Sequence, residues 1–531
     1  MTSAQKNSLQ TATSATQPVA VGPFIGGLHN ASGNGESIDD NELFICDNLE
    51  VDTDGSLANR PAIQFLTTSG IGATIGSTTR IIGVFIPENG NQYLVVSNSS
   101  GNTTRLYDPT ANAYFGSFMS TTSACAVQYN NAMYVIPLPG FSGSRFNADG
   151  TITAVAAIPT GEFGVIYKDR LFVAPGLSAT TNSSRIAFSA AKDPTTFNAL
   201  DIFDVEPGNG QKTISLVVMN NDLLIFKEHS TFKFSYASSP LKGDLSKIST
   251  TVGVPATGCI AVYNNNSVYV MHDNSVYVLY NYQYESITEK ISMKQVFDAD
   301  LLAADIFGLT IYRNRLFVRY YANMYVLSLK TNRWCRWTSP RKFSKLYVFP
   351  SASVGLDIAY AMCGSSALSG KILLIRDSRT DGIGTSGTQE TFTCSIQTKT
   401  LDFDIPYAYK LMTMWGLSIA TLSDSICKTN IPNAGQNFTW NQWAVYTWDQ
   451  LNAMGMLWSN NTKVIVPTTR ASDLGDYGRK YLKLLGKQRF RQVYFTVDTD
   501  TTPNTVADAV VRIYDLTVHL SPRAGVTKGT N

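Results

Sequence analysis

The residues best able to do chemistry in this chain are thinly spread. The four histidines, His29, His229, His272 and His519, lie far apart, with no His-x-x-x-His spacing to set two imidazoles on one helix face for a metal. Seven cysteines, at 46, 125, 259, 335, 363, 394 and 427, include no Cys-x-x-Cys pair. An odd, dispersed set reads as buried free thiols of a chain folded in a reducing cytoplasm. Neither a Gly-x-Ser-x-Gly elbow nor a P-loop occurs. Asp and Glu are numerous enough for a glycosidase pair, but linear order does not set two carboxylates across a cleft. Asp52, Asp54 and Gly55 open like a calcium loop, yet the further ligands are missing, so a plain turn is expected. His229, beside Glu228, reads as an ordinary loop residue. No catalytic residue, cofactor or metal is expected, and the chain reads as a non-enzyme.

Recognition chemistry has one candidate run, 438–458, which carries Trp440, Trp443, Trp448 and Trp458. Clustered indoles serve as a sugar platform, as a protein-interface hot spot, or as plain cross-strand packing. Trp440, Trp443 and Trp448 are therefore candidate interface residues. A receptor- or sugar-binding role predicts glycan-array binding that is lost in Trp443→Ala.

The elements that must position these residues are strands. Only 15% of the 531 residues are charged, the net charge is +2, and Gly, Ser, Thr and Asn are abundant. Such a balance suits short strands and many turns, and argues against a mainly nucleic-acid-binding surface. No run of 18 apolar residues suggests a transmembrane helix, and the polar first 19 residues do not resemble a secretory signal. No membrane insertion is expected.

One hairpin recurs along the chain: an aromatic or apolar residue, a polar tight turn, then an alternating strand. In 161–236 it occurs twice, as Tyr167-Lys168-Asp169-Arg170 and as Met219-Asn220-Asn221-Asp222. Asn and Asp tolerate the positive φ that favoured hairpin turns require. Further copies lie at 81–107, 124–136, 260–280, 309–337 and, more weakly, 345–375. The anchors Tyr129, Tyr167, Met219, Tyr263 and Tyr312 fall 38, 52, 44 and 49 residues apart. Those spacings match propeller blades, the alternative being one or two β-sandwiches. The expected fold is all-β: a propeller of about seven blades plus a C-terminal antiparallel sandwich. Its parts are a flexible arm (1–20), a segment packing on or closing the propeller (21–79), the propeller (80–376), a linker (377–389) and the sandwich (390–531). A first helical turn is expected at Asp39-Asp40-Asn41-Glu42.

Three segments resemble tail β-propeller proteins of tailed bacteriophages. The first is 24–61, with FIGGL, DDNE and DNLEVDTDGSLANRP. The second holds Arg185-Ile186-Ala187-Phe188-Ser189, Asp193-Pro194-Thr195-Thr196-Phe197-Asn198 and Phe226-Lys227-Glu228. The third is Thr398-Lys399-Thr400-Leu401-Asp402-Phe403 with 487–494 and 512–520. The nearest type is the nozzle, or tail tubular protein B, of short-tailed phages; a minor tail protein of a long-tailed phage shares the pattern.

The resemblance implies a structural virion protein of the tail, assembled in the host cytoplasm as a hexameric ring of identical copies. Its implied partners are adaptor and other tail proteins, tail fibres, and genomic DNA passing through the channel, with host-surface contact as a further role. Weak charge would let DNA slide. The excursions 175–184 and 192–210, with Asp193, Phe197 and Asn198, are expected to touch a neighbouring subunit or the channel. The other classes left open are a host receptor- or sugar-binding tail-tip protein and a tail-borne glycosidase.

Overall fold

The structure is a computed structural model that describes residues 17–31, 35, 37–66, 79–177, 179, 181–293, 306–339, 343, 345–349, 358–362, 371–376, 381–383, 389–390, 392–401, 410–420, 425–430, 468–469, 479–490, 494–500 and 512–522. Among the described residues every regular element is a strand, apart from one 3-10 turn at Pro240–Lys242. Six four-stranded antiparallel meanders follow one another, at 79–119, 123–154, 163–204, 213–249, 260–286 and 307–337. These are blades one to six of a propeller.

Six short strands precede them: β1 (Gln17–Val21), β2 (Gly27–Leu28), β3 (Glu42–Asp47), β4 (Leu49–Val51), β5 (Leu57–Asn59) and β6 (Ala62–Phe65). The last of these completes the ring. Blade seven consists of Tyr347–Phe349, Ile358–Met362 and Ile372–Arg376, and its fourth strand is β6, with Ile63 opposite Ile375 and Phe65 opposite Leu373. The Tyr347 hydroxyl donates to the Ile81 carbonyl at 2.5 Å, and Tyr360 and Leu374 share an apolar cluster with Ile81 and Leu94. Blade seven thereby meets blade one, leaving a closed circle of seven blades.

The sequence anchors all occupy one place. Tyr129, Tyr167, Met219, Tyr263 and Tyr312 each end the first strand of their blade, and Phe85 and Phe349 do the same in blades one and seven. In four blades the next two residues have positive φ: Lys168 and Asp169 (47° and 60°), Asn220 and Asn221 (50° and 66°), Asn264 and Asn265 (50° and 55°), Arg313 and Asn314 (47° and 57°). In blades three, four and six the strands pair directly across those two residues, the turn whose twist matches paired strands; in blade five Asn266 adds a third loop residue. The turns also hold blade to blade. The Tyr167 hydroxyl donates to the Asn221 carbonyl (3.0 Å), the Asn220 N–H to the Asn265 carbonyl (3.0 Å), and the Tyr263 hydroxyl to Asn314 Oδ1 (3.0 Å).

The sandwich draws on both ends of the chain. One sheet runs β4, β5, Arg512–Pro522, Lys410–Ala420, Arg479–Phe490, with β1 also on Arg512–Pro522. The other runs from the outer strand of blade six (Arg333–Trp337) through β3 to Thr393–Thr398, Tyr494–Asp500, Ser425–Asn430 and Thr468–Thr469. Leu43, Cys46, Ile396 and Val497 from the second sheet share a core with Leu49, Leu57, Ile513 and Leu516 from the first.

Three boundaries differ from expectation. Residues 17–20 of the expected arm belong to β1, paired along the C-terminal strand. In the expected linker, Asp381–Ile383 lies parallel to β6, where it covers that strand's second edge. Glu42 opens a strand, not a helix. Its carboxylate does reach back to the Asp39 N–H as a helix cap would, at 3.0 Å, but the following residues pair with Thr393–Thr398. Long-range pairing overrides the local capping signal.

Candidate functional site: the joint between propeller and sandwich

The 24–61 segment is the strap that joins the two bodies, and its polar residues do the joining. Asn48 stands between β3 and β4 at φ 58°, a conformation that Asn tolerates. It is fully buried and serves four groups. Its Nδ2 donates to Thr338 Oγ1 (2.6 Å) and the Thr393 carbonyl (2.7 Å), while its Oδ1 accepts from the Thr338 N–H (2.8 Å) and Arg60 Nε (2.7 Å). One amide thus ties the strap to blade six and to the first strand of the C-terminal region. Arg60 is 0% exposed. It donates to the Pro61 carbonyl (2.9 Å) and the Thr338 carbonyl (3.2 Å), and its guanidinium lies 3.9 Å from the Phe392 ring centroid and 5.5 Å from that of Trp337. Planar donors over aromatic faces are what lets a buried guanidinium remain solvated by protein.

Three ion pairs run along the same seam, each with its carboxylate on the strap. Asp47 takes Arg336 in a two-pronged pair (2.7 and 2.5 Å), Glu50 takes Arg315 Nε (2.8 and 2.9 Å), and buried Glu42 takes Lys290 Nζ and His29 Nδ1 (both 2.5 Å). Burial alone would raise the Glu42 pKa, but the bonds from Lys290 and His29 outweigh it and leave the carboxyl below its ordinary value. A carboxyl with a depressed folded pKa stabilises the fold above its unfolded pKa of about 4.3 and loses that contribution as pH falls through the folded value. Glu42→Gln is therefore expected to lower stability at pH 7 by about 1–3 kcal/mol. The gap from the parent should close below pH ~4. Urea midpoints at pH 7 and at acid pH measure both; a gap independent of pH would refute the ionised role.

The Asp52–Gly55 turn is stapled internally. Asp54 Oδ1 accepts from the Ser56 N–H (2.9 Å) and hydroxyl (2.6 Å), which depress its pKa, and Gly55 takes φ 81°. Arg512 of the C-terminal strand reaches Asp52 at 3.4 Å.

The residues proposed for an interface fall in two places. Trp440, Trp443, Trp448 and Trp458 lie outside the described residues. Asp193, Phe197 and Asn198 lie in the loop joining the third and fourth strands of blade three, which folds back on its own scaffold. Asp193 accepts from the Thr195 N–H (3.0 Å) and the Thr195 and Thr196 hydroxyls, the latter at 2.6 Å, and these bonds lower its pKa. Phe197 packs half-buried against the cluster of Tyr134, Ile136, Leu171 and Val173, between blades two and three. Asn198 is exposed and donates to Asp201 (2.7 Å). Lys227, from the same resemblance, is fully buried. Its Nζ donates to the Val205 carbonyl (2.9 Å), the Glu206 carbonyl (3.2 Å), Asn209 Oδ1 (2.9 Å) and Ser184 Oγ (3.2 Å), holding 205–209 against blade four. These motif residues hold the excursion in place from within.

One constellation escaped the sequence reading. His229, in the turn between the second and third strands of blade four, meets His272, which precedes the equivalent turn of blade five, edge-on at 5.5 Å between ring centroids. Burial lowers the His272 pKa, against the raising effect of Asp273, whose carboxylate is 3.5 Å from Nε2. The available signal was equivalent position in consecutive blades, not spacing along the chain.

Among the described residues, Cys46, Cys259, Cys335 and Cys394 are free and buried, and Cys125 is free and half-buried. Cys46 and Cys394 donate to the Leu49 and Asn48 carbonyls inside the joint (3.4 and 3.5 Å). Cys363 and the Cys427 side chain lie outside the described residues.

Strand order defines an all-β protein, a seven-bladed propeller fused to a sandwich. Solved structures similar to the chain include the WD40 domain of Neurospora crassa Pan2, at 6% identity and TM-score 0.41, over 60% of this chain and 96% of that one. The N-terminal domain of Nup159 is 8% identical, at TM-score 0.37 over 62% and 98%. The extracellular domain of the putative one component system BT4673 from B. thetaiotaomicron is 12% identical, at TM-score 0.41 over 87% and 63%. No family model matches the chain, and no curated protein matches it.

Proposed function

We propose that this chain is a structural virion protein of a bacteriophage tail, one subunit of a nozzle-like ring that surrounds the DNA exit channel and takes part in DNA retention and ejection. The observation that carries the proposal is the strap. The stretch with the phage-tail pattern, 24–61, supplies the buried Asn48–Arg60 cluster and the ion pairs that fix propeller and sandwich to one another. A rigid two-body block suits a ring subunit, because cyclic copies meet through two different surfaces whose angle must hold for the circle to close. On this reading the partners are identical copies in a hexamer, adaptor and other tail proteins, tail fibres, and DNA in transit.

Electron microscopy of the assembled particle, with native mass spectrometry of the purified chain, tests the proposal. The expected result is a cyclic oligomer on the tail axis. A chain that stays monomeric outside any particle, or a copy number that forms no ring, would overturn it.

A further inference from the structure

A cleft of about 380 Å³ opens where blades four, five and six meet, on the face that carries the turns between second and third strands. Its floor is apolar and aromatic: Met271 and Tyr320 are almost fully buried, His272 is 6% exposed, and Phe307 forms a wall. Its rim is polar, with Glu228, His229, Asp273 and Asn274. The Tyr320 hydroxyl donates to Asn274 Oδ1, fixing the rim amide against the floor, and the Phe307 ring stands 5.7 Å from that of Tyr320. Glu228 Oε2 accepts the Lys212 N–H at 3.1 Å, which orients the carboxylate. The Lys212 ammonium itself is held at the Leu177 carbonyl (2.5 Å). The Asp273 side chain is 82% exposed.

Two rim carboxylates over an aromatic floor select for charge. A carboxylate bonded to a cationic N–H is roughly twice as strong an interaction as a neutral hydrogen bond. An aromatic wall adds attraction for a cation and none for an anion. A metal ion fits poorly, since among the described residues no group of three His, Cys, Asp or Glu could hold one. The cleft has room for a planar or tetrahedral organic cation with its alkyl stem.

We propose that this cleft is a binding site for a guanidinium or alkylammonium group, with Glu228 and Asp273 taking the cationic N–H donors and Phe307 covering the stem. The group comes either from an arginine or lysine side chain of a partner protein or from a free polyamine. The proposal is independent of tail assembly and stands or falls on the isolated full-length chain.

Calorimetric titration with N-acetyl-arginine amide, spermidine and glucose tests it. The expected result is saturable binding of one or both cations that weakens as salt is raised, with tighter binding of the first pointing to a protein partner and of the second to a polyamine. Asp273→Asn should weaken binding about tenfold, the loss of one charge-assisted bond, with an unchanged melting curve. Glu228→Gln, which keeps an acceptor for the Lys212 N–H, should do likewise. Binding of neither cation, cation binding indifferent to both substitutions, or salt-independent binding of glucose alone would each overturn the assignment.

Discussion

Arg60→Ala is expected to destabilise the protein by about 3–5 kcal/mol, the range for truncating a large, fully buried side chain. The substitution leaves a cavity beneath Phe392 and Trp337 and removes the donor of the partly buried Pro61 and Thr338 carbonyls, while Asn48 Oδ1 keeps only its bond from the Thr338 N–H. Each lost hydrogen bond from the charged guanidinium costs about 1.5–3 kcal/mol at most, less where water can reach the carbonyl, and the cavity adds to that. Arg60→Lys keeps the charge but loses the planar fork, so its cost should be smaller while still clear. The loss should also change how the protein melts. Because Asn48 and Arg60 couple blade six to the sandwich, Arg60→Ala should split a single thermal transition into two, read by calorimetry. A variant that melts in one step at the parent temperature would remove the joint from the account.

Gln64→Pro is expected to open the ring. The strand β6 lies inside its sheet, with Gln64 opposite Leu374 on one side and Gly382 on the other. Proline there deletes a ladder donor, leaving its acceptor unpaired at a cost of about 1–3 kcal/mol, and its ring cannot seat itself between two paired strands. The site matters beyond its local bonds, because among the described residues this is the strand that brings the N-terminal segment to blade seven. Without it the ring has two loose ends, at 79 and 376. Gln64→Ala removes the side chain but keeps the backbone N–H, so it should change stability by less than about 1 kcal/mol. Limited proteolysis separates the two outcomes: rapid cleavage within blades one and seven for the proline variant, parental resistance for the alanine variant. Equal resistance of both would mean that β6 does not close the ring.

The two substitutions probe different consequences of one topology. The strands between 17 and 65 pass through the sandwich and end in the propeller, so neither body is complete without them. Folding must therefore wait for pairings of very long sequence separation, such as Gln17 with Leu520 and Ala62 with Arg376. Contacts of that kind form late, since loop-closure entropy precedes their reward.

How much of this the linear order could carry is plain from individual elements. Blade hairpins are local: an aromatic residue, two residues with positive φ and an alternating strand lie within about ten positions, so Tyr167-Lys168-Asp169-Arg170 specifies its own turn. The recurrence of that unit fixed the propeller and the place of 161–236 as its third and fourth blades. Local signals failed where a distant strand competed. At Asp39–Glu42 a capping pattern lost to pairing with Thr393–Thr398, and in 381–383 a polar, glycine-containing run joined β6 because that strand had an open edge. The short spacings sought for catalysis and metal binding could not reveal His229 beside His272, 43 residues apart and one blade over. Side chains in successive blades become neighbours only when the ring packs.

The sequence by itself determined the repeating unit, its turn chemistry and the all-β class, because those depend on neighbours a few residues away. Only the tertiary structure decided that the strap at 24–61 is a buried clasp, that Phe197 packs between blades two and three, and that two imidazoles share a cleft. Those outcomes depend on which strand edges remain open after the local hairpins form, and on burial that no single segment can supply.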